Sequence, residues 1–146
     1  MAFADLAVGQ VGELSRTITA EQIAGYAEVT GDFNPAHLDA AWAARSRFGE
    51  RIAHGMLTAG LISAVLGMKL PGAGAFYLSQ TLRFNRPVRI GDTITARAEV
   101  LELFPEKRRV RLATRCTNQR GEIVLEGEAL LLVDDVPLDP RTTSHP

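Results

Sequence analysis

An acid and an imidazole, Asp32 and His37, stand five positions apart in the run Thr30-Gly31-Asp32-Phe33-Asn34-Pro35-Ala36-His37-Leu38-Asp39. Gly31 permits a sharp backbone turn and Asn34-Pro35 stiffens the chain just after it, so both side chains can be held toward one point. A carboxylate and an imidazole sharing one water can polarise its O–H bond and manage the released proton. Acid–base work of this kind contributes about 10²–10⁴ in rate. Each residue also has a plainer use. Asp32 can close an Asx-turn after a helix-ending glycine, and His37 can sit at a helix start or in a hydrogen-bonded core.

A second group of interest is His54-Gly55-Met56-Leu57, a polar glycine turn that opens a long apolar segment. The first N–H groups of a helix have no partner inside it, and the helix dipole there favours negative charge. Glycine lets an oxygen approach such an N–H with no Cβ in the way. Removing a donor of this type from an enolate-forming site costs roughly 10²–10³ in turnover. The bland reading is that Gly55 eases a tight helix entry and His54 caps it. Together the two groups point to the addition of water to an activated carbonyl compound, or its removal. A metal site built on Asp32, His37 and Asp39 is not expected, since His54 belongs to another element and no second histidine lies at a ligand spacing.

Local patterns give the elements that must position these residues. Thr19-Ala20-Glu21-Gln22 reads as a capping box. Its helix carries Ile23, Tyr26 and Ala27 on one side and should stop at Gly31. Asn34 or Asp39 can cap a second helix through Ala40–Ala44, with Gly49 ending it; Pro35 suits a first helical position, which leaves both caps open. Met56 to about Lys69 is the dominant helix, with Leu57, Leu61, Ala64 and Val65 on one face. Ile62, Leu66 and Met68 make it apolar almost all round, so a sheet should wrap it.

Beyond Pro71-Gly72 the chain is strand-like. Phe76 to Phe84 is rich in aromatic and branched residues. Residues 93–100 and 109–116 alternate between apolar and polar, and Ile123 to Val133 forms a third long strand. Period-two patterns with short turns mean an antiparallel meander. Arg109, Arg111 and Arg115 then share a solvated face. The Pro, Ser and Thr content from Pro137 onward predicts a frayed tail over 137–146 beyond a single domain over 1–136.

Composition narrows the function classes. With 146 residues the chain makes one domain, large enough for a core without disulfides or metal. Its formal net charge of −1 gives no footprint for nucleic acid or a membrane surface. Cys116, the sole cysteine, has no local His or Lys and reads as a buried inert thiol. No cationic region precedes an apolar stretch at the start, and the apolar run from Met56 to Leu66 falls short of the roughly 20 residues a bilayer needs. The cytoplasm is therefore the expected compartment.

The segment from Tyr26 to Asp39 resembles the signature of the MaoC-like (R)-specific enoyl-CoA hydratases. The likeness continues through Arg47–Leu57, Leu70–Leu78 and Phe84–Ile94, and so covers nearly the whole chain up to about Val133. The Gly-Asp-x-Asn-Pro-x-His-x-Asp core is specific to that family. Ala36 is smaller than the aliphatic residue usual at its position, which affects packing beneath His37 and spares the chemistry.

The resemblance implies an α+β hot-dog fold, an antiparallel sheet wrapped around a central apolar helix with a helical overhang carrying the active-site loop. It implies a homodimer joined sheet edge to edge, and syn hydration of trans-2-enoyl-CoA to (R)-3-hydroxyacyl-CoA with no cofactor beyond the coenzyme A of the substrate. Asp32 and His37 carry over as the water-binding pair, with Asp32 the general base, and Gly55 N–H as donor to the thioester oxygen. Asn34 is expected to hold the loop and His54 to border the substrate. Leu57, Ser63, Leu66 and Tyr77 are candidates for the acyl pocket wall, with core packing as the alternative for each. Arg86, with Arg83 and Arg89, is a candidate for the CoA phosphates, with ordinary solvated arginines at a strand end as the alternative.

Two alternatives share this fold: a hot-dog acyl-CoA thioesterase and a non-catalytic acyl-CoA-binding protein. The Asp32–His37 pair argues against the first, because hydrolysis delivers no proton to the α-carbon.

Overall fold

The computed structural model describes residues 1–136. Its first strand, β1 (Val11–Thr17), leads into α1 (Ala20–Thr30), and the capping box expected at Thr19 forms in full. Gln22 N–H donates to Thr19 Oγ1 at 3.2 Å while Thr19 N–H donates back to Gln22 Oε1 at 3.2 Å. The helix stops where expected, with Gly31 at φ 79°, a left-handed conformation that glycine takes without a Cβ penalty.

The next two candidate caps are both used, on two short helices. Asn34 Oδ1 accepts from Ala36 N–H at 3.0 Å to start α2 (Pro35–Leu38), and Asp39 Oδ1 accepts from Trp42 N–H at 3.0 Å to start α3 (Ala40–Ala44). The expected stop at Gly49 is not observed. The chain leaves α3 earlier through tight bonds from Arg45 N–H to Trp42 O and from Ser46 N–H to Ala43 O, both 3.0 Å. Gly49 serves the next turn at φ 73°.

The long helix α4 (Gly55–Met68) contains no charged residue and no proline. Thr58, Ala59, Ile62, Val65 and Leu66 are its buried positions, and it packs on the sheet formed by the later strands. The expectation that the sheet wraps the helix all round is met on one side only. Met56, Gly60, Ser63, Gly67 and Met68 are exposed.

Strands β2 (Ala75–Gln80), β3 (Arg83–Phe84), β4 (Thr93–Phe104), β5 (Arg109–Thr117) and β6 (Ile123–Val133) join β1 in one antiparallel sheet ordered β1-β4-β5-β6-β2, with β3 also on β6. The meander β4-β5-β6 is the one its alternation predicts. Val100, Leu112 and Ala129 fall in register across it and are at most 1% exposed. The strand expected over Phe76–Phe84 is instead broken into β2 and β3, because Thr81 turns to bond Glu128 through both its N–H and its hydroxyl at 2.9 Å. β1 carries no strong apolar alternation. Part of its hold on β4 comes from hydroxyl pairs, Ser15–Thr95 at 2.7 Å and Thr17–Thr93 at 2.8 Å.

Cys116 is buried in this core as expected, and burial pushes its thiol up to about 12. Arg111 is paired on the solvated face with Glu102 and Glu128. β2 lies at the sheet edge, with Phe76, Tyr77 and Leu78 all exposed. No helix among the described residues is long and apolar enough to cross a membrane. The tail expected from Pro137 lies outside the described residues.

Candidate active site

The helix break at Gly31 puts Asp32 in a loop anchored at both ends by short side chains. Asp32 N–H donates to Thr30 Oγ1 at 3.2 Å, and Asn34 N–H donates to Asp32 Oδ1 at 3.3 Å. Asp32 thus makes the ordinary Asx-turn as well, through one carboxylate oxygen, and remains exposed. One helical turn later, His37 is fixed by the segment that precedes α4. Its Nδ1 lies 2.8 Å from the carbonyl of Ile52. A carbonyl only accepts, so Nδ1 carries the hydrogen and, in the neutral ring, Nε2 holds the free lone pair. The same segment binds the backbone of α2, with Ile52 N–H on Ala36 O at 3.1 Å and Arg51 Nε on His37 O at 2.6 Å.

His54 completes the group. Its ring lies 3.9 Å from that of His37 and 4.5 Å from that of Tyr26, centroid to centroid. A ligating atom from each of Asp32, His37 and His54 lies within 4.8 Å of the others. Proximity to His54 is what the sequence hid, since it depends on the chain returning to α2 at Arg51–Ile52, just before α4. Contrary to expectation, separation along the chain does not keep these three potential ligands apart. Nδ1 of His37 and Nε2 of His54 each bond a carbonyl, which leaves one nitrogen of each ring free, and the two rings lie over one another with an interplanar angle of 32°.

Gly55 is the first residue of α4, and the side chain of His54 makes no cap to the helix. Leu57 N–H already donates to His54 O at 3.1 Å, but among the described residues the N–H groups of Gly55 and Met56 have no acceptor and are thus available to one. A Cβ on Gly55 would lie 2.6 Å from Cε1 of Phe84. Any larger residue at this position would have to push the Phe84 ring aside. Phe84, 53% exposed, is the site residue that sequence reasoning missed. Its position in the Phe-Asn-Arg-Pro motif was visible, but its contact with Gly55 crosses from β3 to α4.

Two cavities meet at this point. One of about 290 Å³ is lined by Tyr26, Asp32, His37, His54, Met56 and Phe84 together with Gly55. The other, about 360 Å³, shares His37, Gly55 and Phe84 and runs between apolar residues that include Ile52, Val88 and Val124. Arg86 borders the second cavity and pairs with Glu122 at 3.3 Å. Thr58 also borders it, and among the described residues its buried hydroxyl has no partner.

The remaining candidates lie elsewhere. Asn34 caps α2. Leu66 is 2% exposed in the core and Leu57 packs against that core. Ser63 is on the open side of α4. Tyr77 is on the edge strand, donating to Gln80 Oε1 at 2.8 Å.

An antiparallel sheet laid on one long helix is the hot-dog fold, here with an overhang that brings a carboxylate and an imidazole to the helix start. Within that fold class the chain belongs to the MaoC-like domain family, which matches residues 6–123. It is 56% identical over 131 residues to a 3-hydroxybutyryl-CoA dehydratase of Methylorubrum extorquens, covering 90% of this chain and 83% of that protein. It is 50% identical to an (R)-specific enoyl-CoA hydratase of Rhodospirillum rubrum, covering 90% of each. The solved R-hydratase PhaJ1 of Pseudomonas aeruginosa superposes with a TM-score of 0.86 at 48% identity, over 95% of this chain and 94% of that one.

Proposed function

We propose that this protein is an (R)-specific enoyl-CoA hydratase, adding water reversibly to trans-2-enoyl-CoA to give (R)-3-hydroxyacyl-CoA. The observation that carries the reading is the meeting of Asp32 and His37 beside the open first turn of α4. The names of the relatives support it.

In this reading one water is held between the Asp32 carboxylate and Nε2 of His37. As its oxygen bonds to C3, Asp32 takes a proton and the C2=C3 π electrons move toward the thioester carbonyl. The resulting enolate oxygen carries the negative charge, which the Gly55 N–H and the helix dipole stabilise. The proton then passes to C2 from the same face, so addition is syn and the pair returns to its starting state. Dehydration runs these steps in reverse. The side chains and the helix terminus supply every charge and proton the reaction needs, so no cofactor is invoked.

The working unit in this proposal is a homodimer. An edge strand with Phe76, Tyr77 and Leu78 exposed is an open template for pairing, and a second copy covers it together with the open side of α4. Ser63 and Tyr77 then become candidates for an acyl pocket completed by the partner, with Leu57 and Leu66 behind them and Arg86 toward the CoA phosphates. The cytoplasm is its compartment in this reading.

Incubation with crotonyl-CoA tests the reading. Loss of enoyl absorbance without release of free thiol is the expected result. Free thiol would mean a hydrolase, and binding without turnover would mean an acyl-CoA-binding protein.

A further inference from the structure

Asp32 and His37 belong to one short stretch of chain, yet what holds each of them to the rest of the fold comes from Ile52–Gly55. The bonds that Asp32 makes through its N–H and carboxylate are local, to Thr30 and Asn34. Its carbonyl is different. It lies 3.0 Å from Nε2 of His54, a residue 22 positions away and 2% exposed. The carbonyl cannot donate, so Nε2 carries the hydrogen and gives it to Asp32 O. The other face of the interaction is with His37, whose ring lies 3.9 Å from that of His54. Among the described residues, Nδ1 of His54 is buried with no partner. The ring is therefore retained for its Nε2–H and its flat face, and not for two hydrogen bonds.

We infer that His54 is a positioning residue for the hydration proposed above: through its Nε2–H it holds the Asp32 loop, and through its ring plane it sets the rotation of His37. Among the described residues, no other long-range hydrogen bond ties Asp32 to the start of α4, where the enolate oxygen must sit. His54 immediately precedes Gly55, so one rigid segment fixes the base, the imidazole and the oxyanion donor relative to one another. With only 2% exposure it offers almost no surface to a substrate. Its effect on the reaction passes through Asp32 and His37.

The distinctive consequence lies in which nitrogen matters. The amide nitrogen of a glutamine reaches about where Nε2 of histidine lies, whereas that of an asparagine reaches about where Nδ1 lies. H54Q should therefore keep the bond to the Asp32 carbonyl, and H54N and H54L should lose it. The expected result with crotonyl-CoA is a fall in kcat of roughly 100-fold or more for H54N and H54L, the cost of about 1 Å of misplacement. KM should stay within about threefold, and H54Q should lose less than about tenfold because only the stack is gone.

Equal kcat for H54N and H54Q would overturn the inference, as would losses in all three variants that track the fraction of folded protein. The imidazole ¹⁵N–¹H spectrum of the unsubstituted protein gives a second test that needs neither folded variants nor turnover. A pyrrole-type Nε2 signal for His54 is expected; a bare Nε2 overturns the inference. Because that spectrum is independent of substrate, it separates this inference from the hydratase reading, whose failure would appear as no hydration by the unsubstituted protein.

Discussion

Strands β4, β5 and β6 and the segment from Thr30 to Gly55 are built in contrasting ways. The strands run in register over most of their length, and Val100, Val110 and Leu112 beneath them are fully buried. Each position there is backed by its neighbours on two strands. The segment has two short helices, α2 and α3, and is folded on itself by single bonds, His37 to Ile52, His54 to Asp32 and Arg51 to His37, while bonds such as Ala53 N–H to Val88 O and Arg89 to Phe48 O hold it to the neighbouring chain. Substitution in the sheet should thus spread into global stability, whereas substitution in the segment should appear in turnover with the fold intact.

The largest effect should come from the segment. Asp32→Ala and His37→Ala are each expected to lower kcat by about two orders of magnitude or more, with an unchanged circular dichroism spectrum and melting temperature. Near-normal turnover in either would remove that residue from the chemistry. The counterpart in the sheet is Leu112→Ala. Truncating a fully buried leucine costs about 2–5 kcal/mol, read as a lower urea midpoint, while kcat per folded molecule should not change. A kcat loss there would erase the contrast.

Gly55→Ala sharpens the boundary between the two regimes. The new methyl meets Phe84 at 2.6 Å, but that ring is half-exposed and can move. Stability should therefore change little while kcat falls about tenfold as the entry to the helix N–H groups is disturbed. Adding Phe84→Ala should restore part of the loss if the ring is the cause. The smallest effect should be at Cys116, whose thiol is pushed up to about 12 by burial. It should resist iodoacetamide at pH 8 in the folded protein and react once urea unfolds it. Rapid labelling of the native protein would mean that this part of the sheet opens readily.

The same contrast decides what was legible in the sequence. Alternation exposed β4, β5 and β6 because each buries one face. β1 escaped notice because part of its pairing rests on Ser15 and Thr17 hydroxyls rather than on apolar alternation. Asp32 and His37 were legible because their spacing is covalent, set by Gly31 and Asn34-Pro35. The parts of the site contributed across the fold were not. The stack of His54 on His37 and the Phe84 ring on Gly55 depend on how α4 and β3 return to the loop. α4 shows a further limit. Its sequence is apolar almost all round, yet a single chain covers one side, and composition alone does not distinguish a sheet from a second copy as the cover.

Isotope labelling reads the central claim at the atoms concerned. Crotonyl-CoA turned over in D₂O enriched in H₂¹⁸O should give (R)-3-hydroxybutyryl-CoA with ¹⁸O on C3 and one deuterium on C2 on the same face, both lost on Asp32→Ala substitution. Recovery of free coenzyme A with ¹⁸O in a crotonate carboxylate would contradict it.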